Sequence, residues 1–427
     1  MSPIGTPSSA IAPSRHDAVA PCDTPTPQRR DWLLAFAAAL ILSDAFDAPL
    51  YAAFGPRATL PGVPSSRLLL LPVFAAAGLL LARDLRGAAD SLRATWFVWP
   101  AVVLTFASAA WSDQPGTTIL WATALLGTSL FGLALAVRFS AGAQCALVAD
   151  VVSSIAVGST VVALLWPAVG ITGTGELWGL YRHQNLLGRI MALGVAAAGA
   201  VVTSGRRRIL GLCAVFLSAG VLLASRSRAS IFSAAIAVTA AMLLQAARRW
   251  RRHAAAILVS GAVVTVLAVA ILVTTRPGLA LVGRDETFSG RTRIWKIVAA
   301  GAMETPWLGH GYGAFWPGPA GQATLQQILE LIHMQINHAH SGVLDLFAEL
   351  GVLGVVLVLV PFAIVALAAL RHALEPGDAV GIWPATYLVF FAASNAAESG
   401  LLRHKIYWAL YVAVACTIAR HRRNRSD

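Results

Sequence analysis

Apolar residues run along this chain in long, unbroken blocks rather than in the period-two alternation of strands. Blocks near the roughly 17–25 residues that a helix needs to cross a bilayer fall at about 32–53, 67–82, 95–111, 117–137, 145–170, 186–203, 209–224, 230–247, 254–275, 342–370, 380–396 and 405–419. The pattern predicts an all-α, polytopic integral membrane protein with about 12 transmembrane helices. Hydrocarbon offers no partner to an open strand edge, so the spans must be helical. The blocks at 67–82, 209–224 and 405–419 are short, which leaves the count open by one or two.

Composition agrees with that pattern. Hydrophobic residues make up 57% of the chain and charged residues 12%, against roughly 25% charged in soluble domains, and the mean hydropathy is +0.69. If the N-terminus is cytoplasmic, the inner side receives Arg83, Arg86, Arg93, Arg138, the Arg206-Arg207-Arg208 run, Arg248, Arg249, Arg251, Arg252, Arg371 and the Arg420, Arg422, Arg423, Arg425 tail. The positive-inside rule favours that topology. The formal charge of +12 is therefore a topological signal, and no nucleic-acid partner follows from it.

Residues 1–31, rich in Pro, Ser, Thr and Ala, read as a disordered cytoplasmic tail. The apolar run after them is too long for a signal peptide and has no small-residue cleavage site. Transmembrane helices 1–9 occupy 32–275, a periplasmic loop with short helices 276–341, helices 10–12 residues 342–419, and a basic cytoplasmic tail 420–427. Cys22, Cys145, Cys213 and Cys416 are scattered and form no CxxC or disulfide framework. No fixed-period repeat and no matched pair of broken helices is visible, which weakens a transporter reading and leaves it open. Asp44 and Asp47 are unusual inside a lipid-facing helix and point to an early end of the first span.

The one long loop is patterned. Arg291 to Met303 has amphipathic helical spacing, Pro306 stops it before a Gly309-His310-Gly311-Tyr312-Gly313 turn, and a second helical stretch covers about 322–336. The glycine run reads as a turn rather than a phosphate cradle, because no strand precedes it. Topology leaves several outward basic residues unexplained: Arg182 with His183, Arg226, Arg228, Arg284, Arg291, Arg293 and Lys296. Guanidinium groups suit bidentate contact with phosphate oxygens; lipid phosphates and snorkelling at helix ends are the plainer use. The 13 tryptophans gather toward span ends as interfacial belts do, and sugar stacking by Trp178, Trp295, Trp307 or Trp316 is the alternative.

The loop ends in His338-Ala339-His340-Ser341-Gly342, with Asp345 and Glu349 following in the next apolar block. Ionisable residues at the mouth of a span are costly, so a functional reason is the default. A helix starting near His340 would put Asp345 and Glu349 on one face, at i and i+4. There they would either orient a histidine or face a water-filled vestibule. Together with His310 and His333, the histidines could instead hold a divalent metal.

These residues carry a family resemblance. His340-Ser341, nine residues, then Gly351-x-x-Gly354 matches the H-[N/S/Q]-x9-G-x-x-[G/T/Y] pattern of bacterial O-antigen ligases and Wzy-type polysaccharide polymerases. Ser225-Arg226-Ser227-Arg228-Ala229 resembles the family's short Ser-Arg motif, and Gly290-Arg291 through Phe315 its loop signature. The segment Gly179 to Arg189, with Arg182, His183, Asn185 and Gly188, resembles an element of ExoQ-like exopolysaccharide polymerases, with Gln184 where that element has Lys. The resemblance covers roughly 175–360.

It implies a GT-C-like membrane glycosyltransferase in the bacterial inner membrane with its active site facing the periplasm. The donor would be an undecaprenyl-diphosphate-linked oligosaccharide and the acceptor a second carbohydrate. The product would be a polymerised exopolysaccharide or O-antigen, or, in the ligase, O-antigen joined to lipid A core. By family position His340 is the candidate base. Arg228 and Arg291, then Arg226 and Arg182, are the candidates for the diphosphate. His338, Asp345, Glu349, His183 and Asn185 would support them. The resemblance implies no cofactor and no metal, and membrane lipids, a flippase and a chain-length regulator as partners. A lipid-linked sugar transporter using the same basic patch is the alternative from a different class.

Overall fold

A computed structural model describes residues 27–45, 47–54, 70–205, 207–274, 291–333, 336, 338–375 and 381–423. The expectations for the first 26 residues, for Arg206 and Arg284, and for 276–290 and 424–427 lie outside the described residues. Among the described residues the secondary structure is helical, apart from one isolated bridge between Ile171 and Leu177.

The predicted first span is two helices, α1 (Arg29–Leu42) and α2 (Asp47–Phe54). The chain breaks at Asp44, whose φ of +60° is left-handed and whose carboxylate pairs with Lys405. A carboxylate cannot face lipid unpaired, so the break brings it to a cation. Then follow α3 (Leu71–Ala82), α4 (Leu85–Ala94) and α5 (Trp99–Ala107). Asp84 caps α4 by accepting the Gly87 N–H at 2.8 Å, and the chain bends by 66° between Leu85–Ala94 and Trp96–Ala110. The long helices α6 (Pro115–Arg138) and α7 (Ala141–Leu165) lead to α8 (Gln184–Thr203), α9 (Arg208–Ala224), α10 (Arg228–Arg249) and α11 (Ala254–Thr274). The loop helices are α12 (Arg291–Ala302) and α13 (Pro319–Ile332); α14 (Gly342–Ala373), α15 (Trp383–Asn395) and α16 (Ile406–Arg423) complete the described chain.

The apolar blocks are thus helical where described, and among the described residues six helices are long and apolar enough to cross a membrane, or seven if the bent pair counts as one span. Length is the reason. At 1.5 Å per residue, a helix like α3 reaches about 18 Å, short of the roughly 30 Å hydrocarbon core.

The centre of the bundle is built by α6, α8 and α16, the last buried continuously from Ile406 to Cys416. Small residues permit the close approach. A Cβ on Gly132 of α6 would sit 2.3 Å from the Ala409 carbonyl oxygen of α16, and one on Gly194 of α8 would sit 2.4 Å from the Val152 side chain of α7. Trp408 donates to Ser129 Oγ at 2.9 Å, so even the buried indole is satisfied. By contrast, no residue in the most apolar stretch of α11 is fully buried in the bundle.

The loop helices have a small core of their own. Ile294, Val298 and Ala302 of α12 and Ile328 of α13 close over Phe315, Trp316, Ala339 and Ala348. What locks this cap to the bundle is a break in α14. Gly351 has φ +62° and ψ −164°, so the helix is interrupted there, and the freed backbone groups must find partners. They find the turn at 306–311. Val352 N–H donates to Pro306 O at 2.8 Å and Leu353 N–H to Trp307 O at 3.2 Å; His310 N–H donates to Ala348 O at 3.1 Å and Gly311 N–H to Glu349 O at 2.9 Å. The glycine run is therefore a turn, as predicted, laced into the kink that Gly351 makes.

Candidate active site

The segment that ends the cap delivers the two histidines to the head of α14. His340 sits in left-handed backbone with φ +51°, an uncommon conformation for a residue other than glycine, and such positions gather where neighbours over-determine them. The neighbours are identifiable. The His340 N–H donates to His338 Nδ1 at 3.1 Å, the Ala339 N–H to Asp345 Oδ1 at 3.0 Å, and Ser341 accepts the Leu344 N–H as the N-cap of α14. Trp295 of α12 donates to the Ala339 carbonyl at 3.0 Å.

One carboxylate gathers the site. Glu398, buried in the connection between α15 and α16, lies with Oε1 3.5 Å from His340 Nδ1 and 3.9 Å from an Arg291 guanidinium nitrogen; its Oε2 is 3.8 Å from His338 Nε2. Asn185, near the start of α8, donates to Oε1 at 2.8 Å and accepts from Ser227 Oγ at 2.9 Å. No hydrogen bond is formed at this distance, and His340 Nδ1 is buried without a hydrogen-bond partner. Burial alone would push the Glu398 carboxyl up. The proximity of His340, then the charges of His338 and Arg189, outweigh burial and hold it at about 2. Burial and the neighbouring His340 push His338 down to about 4, against the pull of Glu398. Burial lowers the Arg291 guanidinium pKa as well, opposed by Glu398.

A second buried charge group stands beside the first. Arg403 forks onto Glu349 at 2.9 and 3.0 Å and approaches Asp345 Oδ2 at 4.0 Å. Asp345 also accepts from Trp316 Nε1 at 2.9 Å and from the Ser399 hydroxyl. The i, i+4 face predicted for Asp345 and Glu349 therefore exists; both are buried and share Arg403 rather than lining a vestibule. Burial lowers the Arg403 pKa, but Glu349 and Asp345 more than offset it and raise it. Arg189 supports the same connection: it donates to Ser399 O at 3.2 Å and Ser394 Oγ at 3.1 Å, and stacks on Tyr407 at 4.2 Å.

Of the residues singled out from sequence, His338, His340, Asn185 and Arg291 meet at Glu398. His183 caps α8 by accepting the Asn185 N–H at 3.1 Å and interacts electrostatically with Glu398 and His340. Arg228 begins α10 immediately after Ser227, with its side chain exposed. Arg226 is turned away, donating to Thr174 O at 3.0 Å, and Arg182 stacks over Tyr51 at 3.7 Å. Of the histidines weighed as metal ligands, His338 and His340 converge with Glu398, their donor atoms within 4.8 Å of one another. His310 instead pairs with Asp113 at 2.9 Å.

An apolar groove opens directly beside this group. Trp295 and Ala299 of α12 form one wall and Val343, Leu344, Phe347 and Val355 of α14 the other; Ser341 is at its head, and it encloses about 380 Å³. A buried carboxylate facing an imidazole, a buried guanidinium and an adjoining apolar groove can deprotonate a hydroxyl and stabilise an anion beside a greasy chain.

Residues 213–359 match the family model described as O-antigen ligase. That segment is similar to the O-antigen ligase family. Together with the apolar helices, the match supports a membrane protein of ligase or polymerase type. No curated protein matches the chain. The O-antigen ligase segment contains Arg226, Arg228, Arg291, His338, His340, Asp345 and Glu349, whereas Asn185, Glu398 and Arg403 come from outside it. Glu398 and Arg403 were not singled out from sequence. The available signal was an acid and an arginine in the short connection Asn395–Lys405 between the last two apolar blocks.

Proposed function

We propose that this protein is a periplasmic-face glycosyltransferase of the bacterial inner membrane that takes a glycan from an undecaprenyl-diphosphate-linked donor and polymerises repeat units of an exopolysaccharide or O-antigen. The observation that carries the proposal is the placement of His340 Nδ1 against the buried Glu398 carboxylate. A carboxylate on Nδ1 favours the tautomer with its proton there, which leaves Nε2 with a lone pair for a hydroxyl. His340 then accepts the proton of the acceptor hydroxyl as that oxygen attacks the anomeric carbon. The bond to the lipid diphosphate breaks, and its electron pair leaves with the phosphate oxygen. Arg291, beside the histidine, and Arg228, at the head of α10, are suited to the charge that grows there. The apolar groove alongside α14 suits the isoprenoid chain of the donor.

The twelve-span topology, with a cytoplasmic N-terminus and the 276–341 loop outside, belongs to the same proposal, supported by the distribution of arginine. A flippase and a chain-length regulator are the partners expected for such an enzyme. The ligase reaction, transfer of O-antigen to lipid A core, is the second reading, favoured by the description of the matched family model. Purified protein given a lipid-linked repeat unit, with and without lipid A core, separates the two. A ladder of extended chains without core supports polymerisation; glycan appearing only on the core supports ligation. A donor that binds without transfer in either mixture, and crosses vesicles instead, supports the transporter.

A further inference from the structure

A second convergence of imidazole and carboxylate lies at the far end of α14 from His340. About twenty residues of α14 beyond the Gly351 break, roughly 30 Å of helix, separate the two groups, too far for one to belong to the other. His372 of the last turn of α14, Glu375 of the turn that follows and His421 of α16 bring three donor atoms within 4.8 Å of one another. His372 Nδ1 is 3.3 Å from Glu375 Oε2, and His421 Nε2 is 2.8 Å from the same oxygen. The imidazole rings are 4.2 Å apart between centroids. His372 is buried, while Glu375 and His421 are partly open.

We infer that His372, Glu375 and His421 form a binding site for a borderline divalent cation of the zinc class. Two imidazoles and one carboxylate form a donor set of the kind zinc takes with a fourth position open to water. Ligands about 2.0–2.1 Å from a tetrahedral ion stand about 3.3 Å from one another, near the 3.3 and 2.8 Å that separate His372 and His421 from Glu375 Oε2. The surroundings select among cations. Arg248 donates to Ala373 O, Arg251 to Leu374 O at 3.1 Å, and Arg420 to Ala136 O at 2.8 Å, so the site lies among guanidinium groups. A hard ion held mainly by charge, such as Ca²⁺ or Mg²⁺, is disfavoured there and lacks the oxygen ligands it needs. An ion bound through imidazole lone pairs loses less. Bound metal would pin α14 to α16, the two helices whose other ends frame the Glu398 and Arg403 connection.

The test uses full-length protein purified in detergent through a histidine-free tag, stripped with chelator and titrated with Zn²⁺. Bound metal is measured by elemental analysis after gel filtration, alongside thermal unfolding. Wild type should retain about one equivalent at this site and unfold at higher temperature with zinc, because binding to the folded state alone stabilises it. Glu375→Gln and His421→Asn should each lose affinity by about tenfold or more while unfolding like metal-free wild type, and His338→Asn should keep the ion. The inference is overturned if wild type binds no zinc, if Glu375→Gln and His421→Asn bind as wild type does, or if His338→Asn alone abolishes binding. These readouts do not depend on glycosyl transfer.

Discussion

His340 Nδ1 faces Glu398 Oε1 at 3.5 Å, and Asn185 donates to that same oxygen at 2.8 Å. The carboxylate is thus fixed by the bundle and the histidine by the cap. Glu398→Gln keeps the shape and removes the charge that sets the imidazole tautomer. Glycosyl transfer should fall by about 10²–10⁴-fold with donor binding little changed. Initial rates at saturating donor check this; a variant as fast as wild type would remove Glu398 from the chemistry.

Acid should loosen the site, with a definite sign. His338 is depressed from 6.5 to about 4 and Glu398 from 4.5 to about 2. Both folded values lie below the unfolded ones. The stability each contributes is therefore complete above its unfolded value, and is lost as pH falls through its folded value. Thermal unfolding should drop between pH 6.5 and about 4 in wild type, and His338→Asn should flatten that interval. An unchanged slope in the variant would contradict the assignment.

Gly351 and Gly309 meet where the turn enters the kink of α14. Both have positive φ; a Cβ on Gly351 would sit 2.3 Å from the Trp307 carbonyl carbon and one on Gly309 2.4 Å from the Glu349 carbonyl carbon. Backbone cannot yield as a side-chain tip can. Gly351→Ala and Gly309→Ala should each cost about 2–4 kcal/mol, read as a lowered unfolding temperature, whereas Gly220→Ala, which meets open space, should be neutral.

Arg403 serves two buried acids. Arg403→Met leaves Glu349 and Asp345 without their shared cation and should cost about 3–5 kcal/mol. Adding Glu349→Leu to that variant should recover part of the loss, because the stranded charge is then gone. Denaturation of the single and double variants makes the comparison, and no recovery in the double variant would argue against the pairing.

Much of this was legible in the sequence because it is local. The α12 helix follows from the spacing of Arg291 to Met303, the start of α14 near His340 from the apolar block that begins there, and the shared face of Asp345 and Glu349 from helical period. What was not legible depends on contacts between distant segments. Glu398 looks like a loop acid until α15 and α16 carry it to His340, and Arg403 looks like an interfacial cation until it forks onto Glu349. The motif glycines Gly309 and Gly351 read as two separate signals, and only folding shows them to be one joint. Helix length was hidden for a related reason: a hydrophobic block such as 67–82 gives a short helix, α3, packed against the long α6, and the sequence shows its apolarity without its length.

The proposed transfer turns on His340 taking the acceptor proton. The most direct measurement is a single-turnover assay of wild type and His340→Ala with a lipid-linked repeat unit, with donor binding followed on the same samples. His340→Ala should bind donor as wild type does and transfer sugar about 10²–10⁴-fold more slowly. Transfer at the wild-type rate by a donor-bound His340→Ala protein would contradict it.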